Sequence, residues 1–168
     1  MKRRWTVLLA SAPVALFLGL GSLALLARPE YVPPGSRMHV DDFAAYALKS
    51  RSVAKVGGVA APAGKAFYLI DLRFTNEAKR VSFDYRPEFV EVADDQGCGL
   101  RLAPEARASL GPAEAHLDAG ESAKRTLVFL GPADAKSLKM AFVLGGGAGA
   151  AIDAVLFGNR QTVLEVER

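Results

Sequence analysis

The stretch FYLIDLRFTNEA, residues 67 to 78, decides the fold. Tyr68, Ile70, Leu72 and Phe74 share one parity, and Asp71, Arg73 and Thr75 occupy the other. Alternation of this kind is the signature of a half-buried β-strand. Asn76 ends the run, as residues whose side chains bond the local backbone tend to do. A strand with one apolar and one polar face belongs to an antiparallel sheet that is packed on one side and wet on the other. Two such sheets joined through their apolar faces make a sandwich.

The same period of two recurs on both sides of this strand. MHV precedes the pair Asp41-Asp42, followed by FAAYALKS and SVAKVGGV. RVSFDY places Val81, Phe83 and Tyr85 on one face, and FVEVA runs into the turn Asp94-Asp95-Gln96-Gly97. CGLRLA, KRTLVFL, SLKMAFVL, AVLFG and TVLEVE complete a series of short runs separated by turn residues, the spacing expected of an all-β sandwich. APEARASLGPAEA, residues 103 to 115, has room for a helical turn, but Gly111-Pro112 interrupts it.

The N-terminus reads differently. Residues 6 to 27, TVLLASAPVALFLGLGSLALLA, hold no charge. As a helix rising about 1.5 Å per residue they would reach about 33 Å, enough to cross a hydrocarbon core of about 30 Å. The run exceeds the apolar length of about 7–15 residues usual in a cleaved signal, so an uncleaved anchor is expected. Cleavage within Ser22-Leu23-Ala24 would instead give a secreted protein. Ser11, Ala15 and Gly19 form a small-residue row that reads as ordinary anchor content.

All 18 acidic residues follow residue 27; of the 21 basic residues, Lys2, Arg3 and Arg4 precede the apolar run, so the remainder of the chain is neutral. The formal charge of +3 belongs to that cluster alone. It argues for a cytoplasmic N-terminus with the rest exported, and it leaves no compositional case for nucleic acid. Residues 28–37, RPEYVPPGSR, carry three prolines and a Pro-Gly turn and read as an extended spacer. The organisation expected is therefore 1–27 anchor or signal, 28–37 linker, 38–168 β-sandwich domain.

FYLIDLRFTN, then FVEVADDQG, then LDAGESAKRTLVFLGP resembles the exported immunoglobulin-like domains of bacteria known as the DUF4352 or MPT63-like group. The likeness falls on Phe67–Asn76, Phe89–Gly97 and Leu117–Pro132, with Gly120, Glu121, Phe129 and Pro132 at the positions that carry it. The resemblance implies an anchored or secreted immunoglobulin-like antiparallel β-sandwich and supplies no catalytic residues. The chain departs from lipoprotein members in having no cysteine near the end of its apolar segment.

Candidate chemistry is sparse. Gly145-x-Gly147-x-x-Ala150, with Glu165 beyond, matches a dinucleotide loop only formally, because too few residues follow to build a βαβ unit. Cys98, His39, His116, Met38 and Met140 are ligand types that copper accepts, but no histidine follows Cys98 until His116. Cys98, the only cysteine, reads as a small, partly buried apolar residue. Asp94-Asp95-Gln96-Gly97 followed by Glu105 suggests calcium, but Cys98 stands where an oxygen ligand is needed. The hairpin turn is the stronger reading there, and Asp41-Asp42 likewise reads as a turn or strand edge. Ser109 and Ser122 lie in polar turns without a Gly-x-Ser-x-Gly elbow. Lys79, Arg80, Phe83, Tyr85 and Arg86 mix basic and aromatic side chains, either as a solvated hairpin edge or as a grip for an acidic partner or envelope polymer.

The expectation is a non-catalytic, single-pass protein of the bacterial cytoplasmic membrane. It would hold an extracytoplasmic binding or scaffolding module, with no catalytic, cofactor or metal residues, no cofactor and no nucleic-acid partner. Its partners would be the membrane, through the N-terminal helix, and a protein or envelope polymer. An exported metal- or small-ligand-binding carrier is the alternative.

Overall fold

A computed structural model describes residues 30–40, 42–143 and 160–168. The expected anchor, Asp41 and the glycine-rich run containing Gly145, Gly147 and Ala150 lie outside them. Among the described residues no helix is long and apolar enough to cross a membrane. These residues form thirteen strands. They are β1 (Glu30–Val32), β2 (Arg37–Val40), β3 (Phe43–Val53), β4 (Lys55–Val56), β5 (Val59–Ala60), β6 (Lys65–Asn76), β7 (Phe83–Tyr85), β8 (Val90–Asp94), β9 (Arg101–Leu102), β10 (Ala115–Leu117), β11 (Ser122–Pro132), β12 (Ser137–Phe142) and β13 (Arg160–Glu167). A single helical turn, α1 (Pro104–Arg107), follows β9.

The strand expected over 67–76 is the middle of the larger layer. β6 pairs antiparallel with β3 on one side and with β11 on the other. The second layer is β8–β12–β13, with β1 parallel to the outer flank of β13. The layers join twice. β13 pairs with β12 along its first part and then, at Val166 and Glu167, parallel to β3. The hairpin after β8 returns through Gly99 and Leu100, which bond Ala93 and Val92, and its next residues form β9 on the flank of β11. The two sheets are thus stitched at both sides into a flattened, nearly closed shell, which leaves little free edge to template aggregation.

Tyr68, Ile70, Leu72 and Phe74 all point into the main core, as their parity predicts, with Leu127 and Phe129 beside them on β11 and Leu138, Met140 and Leu164 supplied by β12 and β13. Each such side chain contributes roughly 1.5–3 kcal/mol through removal from water. One end of the core is aromatic. Phe43 stacks on Phe83 at 3.9 Å between ring centroids, Tyr85 on Phe74 at 3.8 Å, and Phe142 and Phe89 complete the group.

Two expectations need correcting. The polar face of β6 is wet only in its second half: Phe67 and Leu69, of the polar parity, are buried in a second cluster with Val56, Ala103, Ala106 and Val128. The segment carrying α1 and the β4–β5 hairpin cover that half of the sheet, so alternation gave the period of the strand but not what lies over its outer side. The stretch 28–37 is more than a spacer. Glu30–Val32 pairs in register with Arg160–Thr162, and Arg37 already belongs to β2. A three-residue strand between prolines suits an outermost position, where missing backbone donors cost least.

Candidate functional site

Among the described residues, the uncovered half of the outer face of β3–β6–β11 carries a cluster of charged side chains beside a groove. A bulge in β3 creates it. Register runs Tyr46 to Arg73 and Ala47 to Leu72, then skips Leu48 so that Lys49 meets Asp71. The extra residue turns Lys49 outward and returns Ser50 to the interior, where its hydroxyl donates to the Glu165 carbonyl at 2.9 Å. Re-aiming of side chains in this way is the usual consequence of a bulge.

Two rows of side chains cross the three strands on this face. Lys49, Asp71 and Thr126 form one; Tyr46, Arg73 and Lys124 form the other. Asp71 is the centre of the first. It lies 3.8 Å from the Lys49 ammonium and 3.4 Å from the Arg51 guanidinium, and it accepts the Thr126 hydroxyl at 2.6 Å. In the second row the Arg73 guanidinium lies over the Tyr46 ring, 4.2 Å from its centroid, and Lys124 stands directly opposite. A groove of about 410 Å³ borders these rows, lined by Leu48, Leu110 and Pro112 on the apolar side and by Lys49, Lys124 and Arg125 on the basic side. The Arg125 guanidinium is held by the carbonyls of Glu114 and Lys124. Arg107, buried on α1, donates from Nε to the Thr126 carbonyl at 3.1 Å.

The residues singled out from sequence are dispersed. Met38 and Met140 are packed in the core and Cys98 is exposed on the β8–β9 turn. The expectation of a partly buried cysteine fails because the turn lifts Cys98 clear of both layers. His39 lies on β2. The His116 ring, on β10, bonds Asp84 through Nδ1 at 2.6 Å and lies 3.6 Å from Asp118 through Nε2. The hydrogen bond that Nδ1 donates to Asp84 raises its pKa above the ordinary imidazole value.

Asp94 serves its own turn. Its Oδ1 accepts the Gln96 and Cys98 amides at 3.0 and 2.8 Å, while Gly97 takes the left-handed conformation at φ 82°. Glu105 pairs with Arg101 at 2.5 Å instead of reaching back to that turn. Ser122 bonds Thr75 through its hydroxyl, and Glu165 is exposed on β13. Among the described residues no three His, Cys, Asp or Glu side chains converge as a metal cluster would require.

The mixed patch at 79–86 splits. Phe83 and Tyr85 turn into the aromatic end of the core, whereas Lys79, Arg80 and Arg86 stay exposed. Tyr85 is therefore closed to a partner, and Phe83 keeps only partial exposure. The basic face of β3–β6–β11 was missed because its members come from three distant segments. The available signal was that Arg73 and Lys124 each fall on the wet parity of a long strand; Lys49 and Arg51 share the parity of Phe43, Ala45 and Ala47 and reach this face only through the bulge.

No family model matches the chain, and no curated protein matches it. Solved structures do. The YcdA lipoprotein of Bacillus subtilis superposes with a TM-score of 0.58 at 8% identity, over 77% of this chain and 38% of YcdA. This chain therefore spans well under half of that protein. The yjhA protein of the same organism gives 0.57 at 12% identity, over 80% of this chain and 99% of the other. MPT63, a secreted protein of Mycobacterium tuberculosis, gives 0.54 at 16% identity, over 83% and 98%. At these identities the likeness is one of fold. It agrees with the resemblance to MPT63-like domains at the level of a β-sandwich, while membership in DUF4352 is not shown.

Proposed function

We propose that the protein is a non-catalytic binding or scaffolding module of the bacterial envelope: an immunoglobulin-like sandwich held outside the cytoplasmic membrane by its N-terminal segment. The observation that carries this reading is the order of parts. Lys2, Arg3 and Arg4 precede an uncharged run long enough to span a bilayer, and a neutral β-sandwich follows. The secreted protein and the lipoprotein among the similar folds are compatible with an exported domain.

The non-catalytic part of the reading draws support from how the polar groups are used. Asn76 and Asp94 are buried and engaged with backbone groups, and His116 is exposed between carboxylates. A metal carrier is the weaker alternative, since both described thioethers are core residues.

Two measurements test the reading. Alkaline phosphatase fused after Arg168 should be active in intact bacteria, and the chain should stay in the membrane pellet through carbonate extraction. An inactive fusion removes export; a chain released by carbonate removes the anchor and leaves a secreted module.

A further inference from the structure

We propose that the open outer face of β3–β6–β11 binds a linear polyanion bearing phosphate groups, with Lys49, Arg51, Arg73 and Lys124 as its contacts. The inference deepens the binding-module reading and, in its choice between polymer and membrane, rests on the anchor.

Charge segregation is the first argument. The chain beyond residue 27 is neutral, yet this face gathers four cations around one carboxylate, Asp71. That carboxylate is already shared by Lys49, Arg51 and Thr126. In the second row Glu77 is taken by Arg37, which pairs with Tyr46, and among the described residues no carboxylate forms an ion pair with Arg73 or Lys124, which stand directly opposite each other. Like charges facing across strands destabilise a sheet. An anion seated over the pair removes that repulsion, so the arrangement is costly when empty and favourable when occupied.

Geometry supplies the second. Neighbours across the strands lie about 5 Å apart and same-face neighbours along a strand about 7 Å apart. One anionic chain crossing both rows therefore meets several cations in succession. The guanidinium of Arg73 lies over Tyr46 on an exposed side chain and offers a fork for a two-point contact, and exposed Lys124 adds a point charge. This mixture of fork and point charge suits phosphate, whose oxygens serve more than one donor at once. The groove beside Leu48, Leu110 and Pro112 gives the ligand room to pass.

Position favours a polymer over lipid headgroups. β1 is parallel to β13, and β13 is parallel to β3, so Glu30 lies at the same end of the sandwich as Phe43 and Asn76. The two rows lie three and five residues further along β6, about 10 and 17 Å from that end. A chain tethered just ahead of Glu30 presents that end to the bilayer and this face to its surroundings.

The test uses the full chain in phosphatidylcholine nanodiscs, with inorganic polyphosphate as probe and fluorescence anisotropy as readout. Arg73→Gln with Lys124→Gln should weaken binding by about tenfold or more and flatten its salt dependence. Lys79→Gln with Arg80→Gln should change it less than twofold. The thermal midpoint of the Arg73→Gln/Lys124→Gln chain should change little, since relief of the like-charged pair offsets loss of the Arg73–Tyr46 contact. Polyphosphate should also protect Lys49 and Lys124 from acylation. Equal loss in both double variants, or equal affinity for polyglutamate, overturns the proposal. So does protection of Lys124 by phosphatidylglycerol discs alone, which would give the face to lipid. A soluble, unanchored chain that still binds polyphosphate through Arg73 and Lys124 refutes the anchor and leaves the phosphate site standing.

Discussion

The Asn76 carboxamide ties the end of β6 to β10: its Nδ2 donates to the Leu117 carbonyl at 3.0 Å. The same nitrogen donates to the Val81 carbonyl at 2.7 Å, and Oδ1 accepts the Ala78 amide at 3.1 Å. The backbone of Asn76 adds bonds with Glu121 and Gly120. The side chain thus fixes the loop after β6 and ties it to β10, while the backbone of the same residue holds the turn into β11.

Asn76→Ala leaves two carbonyls and one amide without their partner. The expected cost is about 2–4 kcal/mol, since orphaned buried groups lose their full desolvation energy. Asn76→Asp should cost at least as much, because it sets a carboxylate against two carbonyl oxygens. Urea unfolding of the full chain in detergent measures both; an Asn76→Ala loss below about 1 kcal/mol would show that the contacts are replaced by water.

Gly131 makes the second closure of the shell possible. A Cβ at this position would lie 2.7 Å from Leu100 Cγ and 3.2 Å from a Tyr68 ring carbon. Leu100 belongs to the segment that bonds Val92 and leads into β9. Gly131→Ala should destabilise the chain by about 1–3 kcal/mol, the usual range for overpacking. Leu100→Ala on the same background should recover part of that loss. The pair is read by thermal unfolding, and additive losses would sink the explanation.

How far the sequence revealed this architecture depends on the range of the interaction. The face of β6 that builds the core was legible in Tyr68, Ile70, Leu72 and Phe74, because parity is local. The turn at Asp94–Gly97 was legible for the same reason. Leu48 as a bulge was not, since it shows only when β3 is aligned with β6. The burial of Phe67 and Leu69 on the supposedly wet side depends on α1, which follows them by more than thirty positions. The basic face combines residues 49 to 51, 73 and 124, and nothing short of the strand order places them together.

Two tyrosines in the core make opposite predictions. The Tyr68 hydroxyl donates to the Pro132 carbonyl. The Tyr85 hydroxyl is buried without a hydrogen-bond partner among the described residues, and burial pushes its pKa well up. Tyr68→Phe should cost about 1 kcal/mol, whereas Tyr85→Phe should be neutral or stabilising by up to about 1 kcal/mol. Stability losses of similar size in the two variants would mean that Tyr85 has a bonded partner in solution.

His116 should make stability depend on pH in one direction. The hydrogen bond to Asp84 raises its folded pKa most, desolvation opposes it, and the nearby Asp84, Asp118 and Glu121 charges add to the rise. A raised folded pKa means that the native state holds the proton more tightly than the unfolded chain. Its contribution is therefore complete below the ordinary imidazole value of about 6.5 and disappears as pH rises through the folded midpoint. Proton NMR of the imidazole, assigned by loss of the signal in His116→Gln, should show a midpoint above the ordinary value. Asp84→Asn should bring that midpoint down, and stability in the variant should fall less across the same interval. A native midpoint at or below the ordinary value would show that the Asp84 contact does not hold the proton.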